Sequence, residues 1–256
     1  MNIYKHVELK ESPGRIDLFL KRPPLNILNI EMMNEINQAL QDVIPRRDLK
    51  VLVFRSEEKA FSAGVDVGEH TDDTVGQMMD VFGKMFRLLN EVKCVTVSAV
   101  KGAALGGGCE LATYCDIILA SDRSKFGQPE IAVGVYAPVA TAIFPQLVGR
   151  HRALELLVTG DVISGEESYK IGLVNRLFPD DKFDQEVESF LARVTSKSAA
   201  VIALTKRVVD QGLYLGVPAA VRIAEDVYLR ELMQTADAHE GLRAFLEKRQ
   251  PSWQNK

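Results

Sequence analysis

Two glutamates stand where solvated carboxylates are rarely found. Glu110 follows the nearly side-chain-free run Gly102-Ala103-Ala104-Leu105-Gly106-Gly107-Gly108, and Glu130 ends Phe126-Gly127-Gln128-Pro129. Two carboxylates in one apolar pocket do not ionise together; one keeps its proton and the pair titrates as a unit. An acid and a base at neutral pH are what adding or removing water across a double bond requires. Each also has a plainer reading, Glu110 as an acid in the first turn of a helix and Glu130 as a turn acid. An oxygen next to the reacting carbon becomes enolate-like and needs N–H donors. Small-residue turns leave backbone donors uncovered. Two turns qualify, one around Gly107 and one at Phe61-Ser62-Ala63-Gly64-Val65-Asp66. Their candidate donors are the amides of Ala63 and Gly107, although residues 61–66 alone also read as a plain strand-to-helix turn.

These residues need elements to hold them. Residues 4–10 and 15–20 read as strands around the turn Ser12-Pro13-Gly14. Asn29 is placed to cap a helix over residues 30–44, where Met33, Ile36, Leu40 and Val43 recur at helical spacing. Residues 51–54 form a short, wholly apolar strand that asks for cover on both faces. Residues 68–80 are polar and acidic and read as a mobile loop, with a helical pattern resuming over 81–90. Residues 95–100 begin the next strand, a short helix runs to about Tyr114, and residues 117–120 form a further strand. Three times an apolar strand feeds a turn, near Ala63, Gly107 and Glu130. That repetition suggests stacked ββα turns in a spiral, with their loops gathered on one face.

From Phe144 the chain reads as mainly helical. Ser164-Gly165-Glu166-Glu167 is a capping box whose helix ends at Gly172, followed by a strand over 173–178. Helices are expected over 184–196, 199–212 and 218–234, with a second capping box, Asp237-Ala238-His239-Glu240, opening a last helix to Arg249. No low-complexity linker interrupts the chain. The expected organisation is a spiral core over residues 1–195 and a helical region over 196–256 that acts as a lid or an oligomer contact.

A net charge of −4 gives no footing for general nucleic-acid binding. No apolar run is long enough to span a membrane, and the amino-terminal residues lack the apolar core of a secretory signal, so a cytoplasmic protein is expected. The three cysteines, Cys94, Cys109 and Cys115, lie in apolar segments without a CxxC and read as reduced, buried thiols. A catalytic Cys109 is the alternative. The four histidines are scattered and no HExxH occurs, which argues against a metal site. GAALGGG is neither GxGxxG nor a P-loop, and no GxSxG is present.

The segments RPPLNIL (22–28), AFSAGVD (60–66), VKGAALGGGCELATYC (100–115), FGQPE (126–130), LVTGDVIS (157–164), Gly172-Leu173-Val174 and FLEKR (245–249) resemble the crotonase superfamily, the enoyl-CoA hydratase/isomerase group, over nearly the whole chain. The resemblance implies an α/β crotonase-like spiral of ββα turns with a C-terminal helical oligomerisation region. It also implies a homotrimer or homohexamer that binds acyl-CoA thioesters, with no cofactor, since CoA arrives as part of the substrate. Carried over by residue, it puts the oxyanion-hole amides on Ala63 and Gly107 and the acid/base glutamates on Glu110 and Glu130. Val65, Asp66 and Val67 match backbone that binds the CoA adenine, and Phe245 and Lys248 match C-terminal positions that touch CoA. Lys248 reads equally as a solvated lysine at a helix end.

Relatives that isomerise, hydrolyse or decarboxylate often lack one of the two glutamates, so the presence of both favours hydration. One departure bears on substrate. Where common hydratases carry a glycine-rich turn, this chain reads Val135-Tyr136-Ala137-Pro138-Val139-Ala140. Tyr136 and Pro138 reshape the pocket, and the pattern is similar to cyclic dienoyl-CoA hydratases of anaerobic aromatic degradation. Straight-chain enoyl-CoA hydration, isomerisation or thioester hydrolysis on the same site, and a non-enzymatic binding role, stand as alternatives.

Overall fold

The computed structural model describes residues 4–256. A hairpin opens it: β1 (Val7–Ser12) and β2 (Arg15–Leu20) pair antiparallel around a turn in which Gly14 takes a positive φ. Helix α1 (Ile30–Val43) is capped by the Asn29 side chain, which accepts the Met32 amide, as its sequence position predicts. Strand β3 (Val51–Ser56) lies parallel to β2. Its first four residues are fully buried and alternate between two cores. Val51 and Val53 face one, whereas Leu52 and Phe54 face the other. The apolar run predicted this double cover.

Helix α2 (Val75–Glu91) begins within the segment expected to be a loop. Only residues 68–74 of that segment are non-α-helical, and the 3-10 turn Val67–Glu69 overlaps their start. Acidic residues had masked the apolar spacing of Val75, Met78, Met79 and Phe82, which sits on one helical face. Next come β4 (Val95–Val100), β5 (Ala103–Leu105), α3 (Gly107–Tyr114), β6 (Ile117–Ser121) and β7 (Lys125–Gly127). Glu130 lies in a second 3-10 turn, Pro129–Val133. Helices α4 (Pro138–Leu147) and α5 (Arg150–Thr159) follow, then β8 (Val162–Ser164), α6 (Gly165–Lys170) and β9 (Arg176–Phe178). Strand β9 is shorter than expected because Leu173 and Val174 turn inward into the core before pairing starts.

Two sheets result. The larger has the order β1-β2-β3-β4-β6-β9 and is parallel from β2 onward. The smaller has the order β5-β7-β8, and an isolated bridge between Ser62 and Ala104 extends its row. Each of the β3, β4 and β6 segments thus gives a long strand to one sheet and a short extended piece to the other. The register Ser62, Ala104, Phe126, Ile163 runs across the short pieces. This is the stacked ββα spiral read from the sequence, and it brings the three marked turns together.

The remaining helices are α7 (Phe183–Thr195), α8 (Ala199–Gly212), α9 (Val217–Arg230) and α10 (Ala236–Leu246). Phe183, Val187 and Leu191 of α7 cover the second face of the large sheet. Lys206 ties α8 to the sheet through Asp116, 2.7 Å away. The helix expected over 218–234 breaks at Glu231 into a 3-10 turn. The second capping box is also corrected. Thr235 caps α10 by accepting the Ala238 amide, which frees Asp237 for a different task. Among the described residues, no helix is long and apolar enough to cross a membrane.

Candidate active site

Helix α3 puts Glu110 at the floor of a cavity of about 830 Å³. The side chain is 1% exposed. Its Oε1 accepts from the amides of Val139 at 2.7 Å and Ala140 at 2.8 Å. These are the first free donors of α4, which starts at Pro138 and has no side-chain cap of its own. Proline has no N–H to offer, so the helix presents its next two amides to a carboxylate from another element. Those amides and the helix dipole favour the charged form. Burial opposes them and dominates, and the nearby Glu130 charge adds to it, so the Glu110 carboxyl is pushed up to about 7. Among the described residues no donor reaches Oε2, leaving it available to the cavity.

Glu130 reaches the same cavity from the 3-10 turn after β7. Burial raises its carboxyl above the usual range, and its own backbone amide opposes the rise. Gly106 makes room for it. That residue has a φ of 51°, and a Cβ there would lie 2.5 Å from Glu130 Oε1, so any other residue would displace the carboxylate. Gln128 is buried beside it. With its amide assigned by the acceptors around it, the nitrogen donates to Gly106 O at 3.2 Å and Glu130 Oε2 at 3.3 Å.

The two small-residue turns pack directly together. A Cβ on Gly107 would stand 2.5 Å from Val65 Cγ2, and one on Gly108 would stand 2.5 Å from Ser62 Cβ. Backbone amides from both turns therefore border one space. Gly107 is the first residue of α3, and among the described residues its amide has no protein acceptor. On the other turn the free donor differs from the expected one. Ala63 lines the cavity, but its amide donates to Leu25 O at 2.9 Å. The bridge of Leu28 to Val65 uses the amides of Leu28 and Asp66, so the Val65 amide has no acceptor among the described residues. The paired donors are Val65 and Gly107. Sequence alone does not show this, because which amides of a loop are satisfied depends on the segment paired with it, here residues 25–28.

The walls are largely apolar. Val75, Met78, Met79 and Phe82 form the α2 side, and Val133, Val135, Tyr136 and Pro138 the other. Val67, 69% exposed, sits at the mouth. Asp66 is not on the wall; its carboxylate caps the 67–69 turn through the Gly68 amide. Phe245 and Lys248 lie away from the cavity of their own chain, and Phe245 is 82% exposed. Cys109 is fully buried away from the cavity, and burial pushes its thiol up, as it does those of Cys94 and Cys115. A thiol held protonated and out of reach is no nucleophile, which sets aside the catalytic-cysteine reading. His70, Gln128 and the α2 wall were not singled out from sequence. The i, i+3, i+4, i+7 spacing of the wall was the available signal.

Comparison with known proteins agrees with the geometry. The family model described as enoyl-CoA hydratase/isomerase matches residues 12–256. A crotonyl-CoA hydratase of Syntrophomonas wolfei is 33% identical over 259 residues, covering 99% of each chain. A cyclohexa-1,5-dienecarbonyl-CoA hydratase of Thauera aromatica is 33% identical over 250 residues, covering 98% of this chain and 96% of the relative. Among solved structures, an enoyl-CoA hydratase from Geobacillus kaustophilus aligns with a TM-score of 0.90 at 31% identity, covering 99% of both chains. The chain belongs to the enoyl-CoA hydratase/isomerase family.

Proposed function

We propose that this protein reversibly adds water to a conjugated enoyl- or dienoyl-CoA thioester. The observation that carries the reading is the meeting, in one apolar cavity, of two carboxyls raised above their usual range with two unpartnered amides. The thioester oxygen accepts from the Val65 and Gly107 amides, which draws electron density from the double bond. Water adds its hydroxyl at the electron-poor carbon, one proton of the water passes to a glutamate, and the other carbon of the bond receives a proton from the pair. The enolate oxygen formed on the way is held by the same two amides. Burial keeps one proton on the Glu110–Glu130 pair near neutral pH, so acid and base coexist. Isomerisation needs only one proton-handling group at a time, and thioester hydrolysis needs a nucleophile at the carbonyl carbon. The two acids fit hydration better than either.

A cyclic acyl group is the finer reading. Tyr136 and Pro138 on the wall, the breadth of the cavity and the named activity of the Thauera relative support it. Incubation with crotonyl-CoA and with cyclohexa-1,5-diene-1-carbonyl-CoA, followed by mass spectrometry, tests both levels. Hydration predicts a product heavier by one water; free CoA or a shifted alkene would identify a sister reaction. The cyclic reading predicts the higher kcat/KM for the dienoyl thioester, and a clear preference for crotonyl-CoA would overturn it.

Phe245, Leu246 and Tyr214, all more than three-quarters exposed, support association of the C-terminal helices with another copy. That contact would give Phe245 and Lys248 a route to a neighbour's bound CoA. Sedimentation of the wild type against Phe245→Ser tests it.

A further inference from the structure

Gly107 offers its amide to the cavity, yet it has no side chain with which to hold that amide in place. The space a side chain would occupy is filled from two directions. A Cβ there would lie 2.5 Å from Val65 Cγ2, 3.1 Å from Phe82 Cε2 and 3.3 Å from Phe82 Cζ. The first atom belongs to the residue that carries the other free amide. The other two belong to the ring of Phe82, which is buried and also lines the cavity. The ring edge and the Val65 methyl thus converge on the backbone of Gly107.

Behind Phe82 the packing is aromatic. Phe82 and Phe86 meet edge to face with ring centres 4.9 Å apart, and Phe86 and Tyr114 do the same at 4.8 Å. The column ends at the Tyr114 hydroxyl, which donates to Asn90 Oδ1 at 2.9 Å. Phe82, Phe86 and Asn90 recur every four residues, so they share one face of α2. From Phe82 to Asn90 is about 12 Å of helix, and from Gly107 to Tyr114, the first and last residues of α3, about 10 Å. The two helices therefore run side by side in the same direction, joined at Gly107 by the Phe82 ring and at Tyr114 by Phe86 and Asn90. Next to Phe82, α2 is also tied to α1, where the buried Asn37 donates its side-chain amide to Val81 O at 3.0 Å.

We propose that Phe82 is a positioning residue for the oxyanion donors: its ring, backed by Phe86 and Tyr114, occupies the side-chain space of Gly107 and holds that amide in line with the Val65 amide. Residue 107 must be glycine for the ring and the Val65 methyl to enter, and the ring in turn supplies the restraint that a glycine backbone lacks. Such donors contribute only while they point at the developing charge, and a displacement of about 1 Å at a reacting centre can cost about 10²-fold in rate. Phe82 handles no proton; it acts through the two backbones it packs against. The catalytic consequence rests on the hydratase reading, whereas the alignment of the two amides does not.

The experiment compares wild type with Phe82→Ala, the milder Phe82→Leu, and Leu89→Ala, which removes packing from a buried position of α2 that lines no part of the cavity. Each is read twice. The first readout is kcat and KM for crotonyl-CoA. The second is the infrared stretch of the thioester carbonyl in bound butyryl-CoA, isotope-labelled at that carbon, a saturated thioester that cannot be hydrated. Wild type should lower the stretch on binding, because two amides draw on the oxygen. Phe82→Ala should lose part of that lowering and about 10–10²-fold in kcat, with a smaller change in KM. Phe82→Leu should lose less of each, and Leu89→Ala neither. An unmoved stretch in both Phe82 variants, or an equal loss in Leu89→Ala, would overturn the proposal. If the wild type lowers the stretch but hydrates nothing, the hydratase reading alone fails, and the infrared comparison still decides the role of Phe82. If the wild type leaves the stretch where it stands in water, no donors act on the thioester, and both fall.

Discussion

Glu110 and the pair Asp237 and Glu240 are buried to a similar degree, at 1%, 1% and 6% exposure, and they do opposite things. Glu110 meets two amides on one oxygen and an apolar cavity on the other. Asp237 accepts from the Ser198 hydroxyl and the amides of Gln254 and Asn255. Glu240 accepts from the Ser252 amide and from Arg249 and Arg243, which hold its carboxyl well below the usual range. Both oxygens of each clamp acid are thus occupied, and the clamp fastens the C-terminal tail across α8 and α10. Burial alone does not make a reactive acid. A carboxyl becomes reactive when its desolvation is left partly uncompensated, and structural when donors and cations compensate it fully.

The largest expected effects probe the uncompensated side. Glu110→Gln and Glu130→Gln should each lower the hydration rate by about 10²–10⁴, read as kcat at saturating thioester. Wild-type turnover in either would remove that residue from the mechanism. Gly107→Ala comes next. Its new Cβ meets Val65 Cγ2 and the Phe82 ring, so both amide donors are pushed out of line. Loss of one such donor costs about 2.7–4 kcal/mol of transition-state stabilisation. The expected result is a fall in kcat with an unchanged circular-dichroism spectrum, and unaltered kcat would place the oxyanion elsewhere.

How far the sequence foretold this site follows from what each residue depends on. Glu110, Glu130 and Gly107 were legible because strand, glycine turn and acid are contiguous in the chain. The spiral was legible because the same strand-to-turn step recurs. The Val65 donor was not, since only the pairing of residues 25–28 with the turn shows that Ala63 is already satisfied. The start of α2 was hidden by the acidic residues Glu69, Asp72 and Asp73 just before it and by Gly76, Gln77 and Asp80 within it. Asp237 was misread because a capping-box spacing is local, whereas its partners lie at Ser198 and in the tail. Non-local compensation is what distinguishes the two acid sites, and no window of sequence contains it.

The clamp should break in the opposite currency, stability without chemistry. Asp237→Ala leaves the buried Ser198 hydroxyl and the partly buried amides of Gln254 and Asn255 without their acceptor, and a fully buried orphan costs about 1–3 kcal/mol, a partly buried one less. A loss of about 1–3 kcal/mol in urea unfolding is expected, with kcat per folded molecule retained. A fall in kcat at full stability would mean the tail takes part in the reaction. Glu110→Gln should do the reverse. In wild type the folded carboxyl, near 7, binds its proton more tightly than the unfolded one, near 4.5. The native state therefore holds the extra proton between these values, and stability falls as pH rises through that window. Glutamine removes the penalty while its oxygen can still accept from Val139 and Ala140. A gain of up to about 3 kcal/mol above pH 7 is expected, vanishing below about pH 4.5. Equal stability at both pH values would show that the charge on Glu110 is already compensated.

The smallest effect belongs to Glu240→Gln, because Arg249 and Arg243 remain accessible to water and the ion pairs they make are screened. Here the sign is opposite to that of Glu110. The folded carboxyl lies below its unfolded value, so its contribution is present above the ordinary carboxylate range and is lost as pH falls through the depressed one. The variant should melt below wild type at neutral pH, and the gap should close on acidification and narrow in high salt. A gap that persists at low pH would assign the role of Glu240 to its hydrogen bond with the Ser252 amide instead of its charge. In that case the two acid sites would differ in the number of donors they meet and not in the cations, and the contrast between them would rest on hydrogen bonding alone.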